Sequence, residues 1–213
     1  MQITLTNTGK RYNREWIFRR VNYEFNAGTS YAITGPNGSG KSTLLQVIAG
    51  AVMHSEGEIK YSDTGYMMDK KNSTNDQISG NDAYKHISIA TPYLELIEEM
   101  TATELLSFHS TFKSFFIQIP EMLAAVSLQN AANKQIRYFS SGMKQRLKLA
   151  QAFFSNTAVL LLDEPTTNLD ADGIVLYKQL INDHSKERLV IVSSNDEQEY
   201  DFCKEVISIN DYK

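Results

Sequence analysis

The sequence predicts an α/β fold whose core is a mostly parallel sheet covered on both faces. Three observations predict it. A glycine-rich stretch, Gly35-Pro36-Asn37-Gly38-Ser39-Gly40-Lys41-Ser42-Thr43, separates a strand-like run, Ser30–Thr34, from a helix-like run, Leu44–Ala49. Short apolar runs, Ala158–Leu162 and Leu189–Val192, alternate with stretches of helical period. These runs are apolar at every position, which suits strands buried on both faces and therefore a parallel arrangement.

In chain order, residues 1–34 read as strands. Ile3 and Leu5 alternate with polar residues, and a second alternation covers Val21, Tyr23 and Phe25. Asn26-Ala27-Gly28 makes the turn before the third strand. The helix-like run after the glycine stretch stops at Gly50, a C′ glycine. Gly57–Tyr61 is a short strand and Gly65–Met68 a weaker one. The polar residues 69–83 read as a surface loop, and His86–Ala90 as a core strand. From about residue 95 the period becomes helical. Thr101-Ala102-Thr103-Glu104 is a capping box, followed by Leu105, Leu106, Phe108 and Phe112 at helical spacing. Pro120 opens a further helix through Leu128. Residues 95–138 thus form a helical lobe inserted into the α/β core. Within it, Phe108, Phe112, Phe115 and Phe116 either make a docking surface or are buried in the lobe. Ser141–Phe154 is a helix, a further helix runs from about Asp172 to His184, and Val206–Ile209 is a last strand.

Composition narrows the function classes. The 213 residues are 42% hydrophobic and 22% charged, ordinary for a soluble globular protein. A formal charge of −4 gives no polybasic footprint for nucleic acid. The one cysteine, Cys203, excludes an internal disulfide and fits a reducing cytosol. Met1–Thr6 lacks the charged and apolar regions of a signal peptide. No run of about 18 apolar residues occurs, so a membrane role has to come through a partner chain.

The glycine stretch has the form G-x-x-x-x-G-K-[ST], a phosphate-binding loop in its strand–loop–helix context. Its glycines let backbone N–H groups curl around phosphate oxygens, and the helix N-terminus adds its positive end. Gly35, Pro36, Asn37, Gly38, Ser39, Gly40, Lys41, Ser42 and Thr43 are therefore the candidate nucleotide-binding residues. Lys41 is placed for the β- and γ-phosphates and the Ser42 hydroxyl for Mg²⁺. Asp163 and Glu164 end a buried apolar run. A carboxylate there holds Mg²⁺ opposite the serine, and its neighbour polarises an attacking water. The ligands these residues predict are the phosphates of a nucleotide and Mg²⁺.

Phe139-Ser140-Ser141-Gly142-Met143-Lys144-Gln145-Arg146 resembles the signature sequence of ATP-binding cassette (ABC) proteins, and Pro165-Thr166-Thr167-Asn168-Leu169-Asp170 resembles that family's D-loop. Phosphate loop, signature, acidic strand end and D-loop stand in the family's order across essentially the whole chain. The resemblance implies a P-loop NTPase core with an N-terminal antiparallel β-subdomain and an inserted α-helical subdomain. The division is 1–90 and 139–213 for the core with its antiparallel strands and 91–138 for the helical part. It implies that the nucleotide is ATP and that Ser140 and Gly142, at a helix start, face the γ-phosphate held by a second copy, so that two chains sandwich two ATP molecules. It implies that an aromatic residue stacks on adenine: Tyr12, 29 residues before Lys41, suits this better than Trp16.

Ser141 and Met143 replace the usual glycine and glutamine of the signature. Two further departures bear on turnover. Where the family has a histidine that contacts the γ-phosphate, this chain has Asn195, which either keeps that contact through its amide or caps the next helix. At the position read as the family's metal-sensing glutamine stands Tyr93. The expected function is the ATPase subunit of an ABC transporter, working as a homodimer at the cytoplasmic face of the membrane through separate permease subunits. Two other classes remain open: a regulatory cassette that dimerises with ATP but turns over poorly, and a soluble ABC ATPase outside transport.

Overall fold

The computed structural model describes residues 1–63, 77–80 and 82–213. Among the described residues nine strands and six α-helices follow one another, with short 3₁₀ turns between them. The first sheet is antiparallel. β1 (Gln2–Tyr12), β2 (Glu15–Phe25), β4 (Glu56–Ser62) and β5 (Gln77–Ile78) lie in the order β2-β1-β4-β5. Ile3 faces Phe25 on one side and Tyr61 on the other, which joins the apolar alternations of three strands into one buried face. The second sheet is parallel, in the order β6-β7-β8-β3-β9, from β3 (Ser30–Thr34), β6 (Ile87–Ala90), β7 (Val159–Asp163), β8 (Leu189–Ser193) and β9 (Glu205–Ser208).

The all-apolar strands are buried on two faces by period-2 geometry. Leu160, Leu162, Val190 and Val192 enter one core, with the helical lobe. Val159, Leu161, Leu189 and Ile191 enter the other, with the antiparallel sheet and α1 (Lys41–Ile48). Successive residues of one strand therefore serve different cores, so no polar position is tolerated until the strand end.

Between β6 and β7 the chain forms α2 (Ala102–Ser110), α3 (Ile119–Ala125) and α4 (Ser141–Phe154). The Thr101–Glu104 capping box is formed in both directions. Then come α5 (Ala171–His184) and α6 (Glu197–Tyr200).

Several details differ from the sequence reading. Gln77 and Ile78, inside the expected loop, extend the antiparallel sheet by pairing with Ser62 and Tyr61. The short strand expected at Gly65–Met68 lies outside the described residues. α3 stops three residues before Leu128, because Ser127 takes a left-handed backbone with φ +58° that ends the helical path. Phe112 lies beyond α2, and Phe108, Phe112 and Phe116 are exposed, while Phe115 packs on the core and bridges to Ser155. Burial within the lobe thus holds for one of the four phenylalanines. The other three sit where α2 ends and the chain turns back along the surface.

His109 is held neutral in the lobe. Its ring stacks on Phe115 at 5.4 Å, its Nε2 lies 3.3 Å from Ser155 Oγ and its Nδ1 lies 3.0 Å from Gln151 Nε2. Burial, with the nearby Lys113 cation, pushes its pKa down to about 4. A depressed histidine binds fewer protons in the folded state than in the unfolded one. Its contribution to stability is therefore complete above about pH 6.5 and is lost as pH falls toward about 4. Urea unfolding at pH 7 and pH 4.5 checks this: the wild type should lose about 1–2 kcal/mol more across that interval than His109→Asn.

Candidate functional site

The C-terminal ends of β3, β7 and β8 meet on one side of the parallel sheet, the position where such sheets bind ligands. β3 runs into the glycine loop. Gly35, Gly38 and Gly40 all have positive φ, of 144°, 76° and 97°. At Gly40 a side chain is doubly excluded, since a Cβ there would lie 2.4 Å from Ile17 Cγ2. Gly40 is also the N-cap of α1, with no side-chain cap and no acidic residue in the first turn. The helix therefore presents free N–H groups and an uncompensated positive end to the loop. Ser39 Oγ is buried there without a hydrogen-bond partner, an unmet polar atom beside the start of the helix.

Lys41 is 4% exposed, and its Nζ donates to the carbonyls of Gly35 at 2.8 Å and Pro36 at 3.4 Å. No carboxylate pairs with it among the described residues. Ser42 Oγ donates to Asp163 Oδ1 at 3.0 Å, and Thr91 Oγ1 donates to Asp163 Oδ2 at 3.3 Å. Asp163 itself is 2% exposed at the end of β7. The three residues give a carboxylate and two hydroxyls, hard oxygen donors. No group of three or more His, Cys, Asp or Glu suited to a metal occurs among the described residues. One carboxylate with hydroxyl oxygens fits Mg²⁺, which is held by few protein oxygens and by substrate phosphates rather than by an all-protein cage.

Glu164 follows with a left-handed backbone, φ +42°, unusual for a residue with a side chain. Its N–H donates to Ser193 O at 2.9 Å, so the end of β8 fixes the turn. Such conformations cost on the order of 1 kcal/mol and persist where surrounding structure imposes them.

Asn195 lies beyond β8 and bonds to the glycine loop twice. Its Oδ1 accepts from Gly35 N at 3.2 Å, and its Nδ2 donates to Asn37 Oδ1 at 3.0 Å. It does not cap the next helix. Asp196 is the N-cap of α6, accepting from Gln198 N at 2.9 Å. The capping alternative for Asn195 is thereby corrected: of two adjacent residues that both suit a cap, the amide is drawn to the loop.

Tyr93 is 75% exposed, and no hydrogen bond joins its hydroxyl to Asp163 or Ser42. The side chain of this segment that reaches the carboxylate is Thr91, two residues earlier. Sequence reasoning missed Thr91; the only signal was its position directly after β6, whose end lies beside that of β7. Tyr12 ends β1 with its ring half exposed and Lys10 Nζ 4.8 Å from the ring centroid. Trp16 is already engaged by guanidinium groups, Arg19 at 4.0 Å and Arg11 at 5.5 Å.

Ser140 is the N-cap of α4 and accepts from Met143 N at 3.2 Å, which leaves its O–H free to donate. The first turn of α4 holds no acidic residue. Gly142 packs against the Asn168 carbonyl, where a Cβ would stand at 3.1 Å. Gln145 Nε2 donates to Pro165 O at 2.8 Å, and Arg146 pairs with Asp170 at 2.8 Å. The start of α4 is thus bound to the segment that follows Glu164. Glu199, buried in α6, accepts from both the N–H and the hydroxyl of Thr166 and holds that segment from the other side.

The ABC transporter family model matches residues 18–167. The uncharacterized ABC transporter ATP-binding protein YybJ of Bacillus subtilis (strain 168) is 28% identical, over 98% of this chain and 92% of the relative. A putative hemin import ATP-binding protein, HrtA of Staphylococcus aureus (strain bovine RF122 / ET3-1), is also 28% identical, over 97% of this chain and 94% of its own. Among solved structures, a putative ABC transporter ATP-binding protein from Pyrococcus furiosus superposes with a TM-score of 0.78 at 19% identity, each chain covered fully. The ATP-binding cassette MJ0796, a dimer in a post-hydrolysis state bound to ADP and Pi, superposes with a TM-score of 0.76 at 25% identity, over 97% of this chain and 93% of that one.

Proposed function

Because the chain belongs to the ABC transporter family, we propose that it is the ATP-hydrolysing subunit of an ABC transporter, working as a pair of copies beneath separate permease subunits. The observation that carries the reading is the 3.0 Å contact between Ser42 and Asp163, 121 residues apart, which joins the phosphate loop to the acidic strand end.

In this reading the roles are divided as follows. The loop from Gly35 to Thr43 holds the phosphates of ATP on backbone N–H groups and on the start of α1. Lys41 leaves the carbonyls of Gly35 and Pro36 for the β- and γ-phosphate oxygens. Ser42 and Asp163 would hold Mg²⁺, which would neutralise phosphate charge when bound. The Tyr12 ring, covered on one side by Lys10, offers its other face to adenine. Water attacks the γ-phosphorus, the bond from that phosphorus to the bridging oxygen breaks, and ADP departs with that oxygen. Glu164 takes the proton from the attacking water. Asn195, already against the loop, donates its amide hydrogen toward the γ-phosphate. Ser140 and Gly142 supply donors to the nucleotide of the second copy.

Among the described residues no helix is long and apolar enough to cross a membrane. In this reading transport runs through separate permease subunits, and the site acts at the inner face of the membrane through them. The helical lobe and the loop carrying Tyr93 receive it.

Mg-ATP turnover by the purified chain, with size-exclusion runs in the presence and absence of ATP, tests the reading. Turnover together with an ATP-dependent dimer supports it. Asn195 in place of histidine favours a second reading, a regulatory cassette that closes without turnover; dimers that stay inactive even with the permease present decide for it.

A further inference from the structure

Lys148 lies in the middle of α4, two turns after the residues that face the second copy in the reading above. It is 7% exposed. Its Nζ donates to Pro92 O at 2.6 Å and to Thr91 O at 3.3 Å, and no carboxylate pairs with it among the described residues. Lys144, one turn earlier, is engaged by Glu98 instead. Removing an ammonium from water without a counter-ion is costly, and carbonyl oxygens offset only part of that cost. An apolar residue would fill this stretch of α4 more cheaply, so the lysine's value lies in what it grips.

What it grips is the segment leaving β6. Thr91 O and Pro92 O are fixed by the ammonium, and Leu94 N also donates to Thr91 O. With its backbone held on one side, Thr91 turns its buried hydroxyl to Asp163 Oδ2. Ser42 donates to the other oxygen of the same carboxylate. The carboxylate is therefore oriented from two directions, by the phosphate loop and by the segment that α4 holds.

We propose that Lys148 is a positioning residue for the candidate metal site: it pins Thr91 so that the Thr91 hydroxyl orients the Asp163 carboxylate toward the cation of the bound nucleotide. The proposal rests on the ATP-site reading above. It also ties α4, whose first turn faces the second copy in that reading, to the carboxylate of its own site through one side chain and one hydroxyl.

The test measures binding of a fluorescent ATP analogue in EDTA and in Mg²⁺, in the wild type, Lys148→Met, Lys148→Arg, Thr91→Val and the double variant Lys148→Met/Thr91→Val. Circular dichroism and thermal unfolding establish that each is folded. The gain in affinity on adding Mg²⁺ should fall about 5-fold in Lys148→Met and in Thr91→Val, the loss of one oriented hydrogen bond, while affinity in EDTA stays within about 2-fold. Lys148→Arg, which keeps a donor to the carbonyls, should retain most of the gain. The double variant should lose no more than either single one, because both act through the same hydroxyl. A merely structural lysine would lower the melting temperature and leave the Mg²⁺ gain intact. A wild-type gain that survives in folded Lys148→Met and Thr91→Val overturns the proposal alone. A wild type whose nucleotide affinity ignores Mg²⁺ overturns this proposal, and a wild type that binds no nucleotide in either condition overturns the ATP-site reading and this proposal with it. Should Lys148→Met fail to fold, Thr91→Val and Lys148→Arg decide: an undiminished gain in Thr91→Val overturns the proposal.

Discussion

Glu164→Gln is expected to lower ATP turnover by about 10²- to 10⁴-fold, the range typical for loss of a general base, while nucleotide binding is kept. The amide has the shape of the carboxylate and still accepts hydrogen bonds, but it does not take a proton at neutral pH. The backbone there is set by the turn rather than by the side chain. Glu164 N is bound to Ser193 O and Glu164 O accepts from Thr167 N, so the φ of +42° survives the change. The substitution also removes a negative charge beside Asp163. Folding stability should therefore stay level or rise, which separates the loss of chemistry from a loss of structure. ATP should trap the variant as a dimer on size exclusion, since in the proposed cycle closure uses binding and reopening uses hydrolysis. Residual turnover within about 3-fold of the wild type would remove Glu164 from the role of base.

What the sequence showed and what it hid divide by distance along the chain. The glycine loop, the Thr101–Glu104 capping box and the apolar run ending in Asp163 are local signals, each contained within about ten residues, and each forms the element its pattern predicts. The parallel setting of β7 and β8 follows from their own apolar runs, because strands apolar at every position before their ends leave no face for water. The hidden features depend on partners far away. Asn195 and Asp196 are both good caps, and Asn37, 158 residues upstream, draws the first of them to the loop. Lys148 reads as a solvated lysine on a helix until Thr91 and Pro92, more than fifty residues earlier, close over it. Thr91 carries no motif at all; it reaches Asp163 because β6 lies beside β7 in register, Ala90 opposite Leu162. The exposure of Phe108, Phe112 and Phe116 was hidden too and runs against burial, the preferred reading of these residues, since helical spacing says which residues share a face but not whether another element covers it.

Lys41→Met should weaken nucleotide binding by about 30-fold or more, the loss of a charge-assisted contact to phosphate in a dry site, and should do so without loss of stability. The second half of the prediction carries the argument. In the free chain the ammonium is buried, and among the described residues its only partners are the carbonyls of Gly35 and Pro36. Its desolvation is not offset by an anion, so a methionine of similar length should fold at least as well. A lysine kept for stability would show the reverse, a lower melting temperature and nearly unchanged affinity. Thermal unfolding with and without ATP reads both terms in one experiment. The wild type should gain stability as ATP is added, by an amount that grows with the logarithm of its concentration, and the variant should start at or above the wild-type melting temperature and gain little. A variant that melts lower but is stabilised by ATP as strongly as the wild type would make Lys41 a structural residue of the loop, and the positive charge for the phosphates would then have to come from the N-terminus of α1 alone.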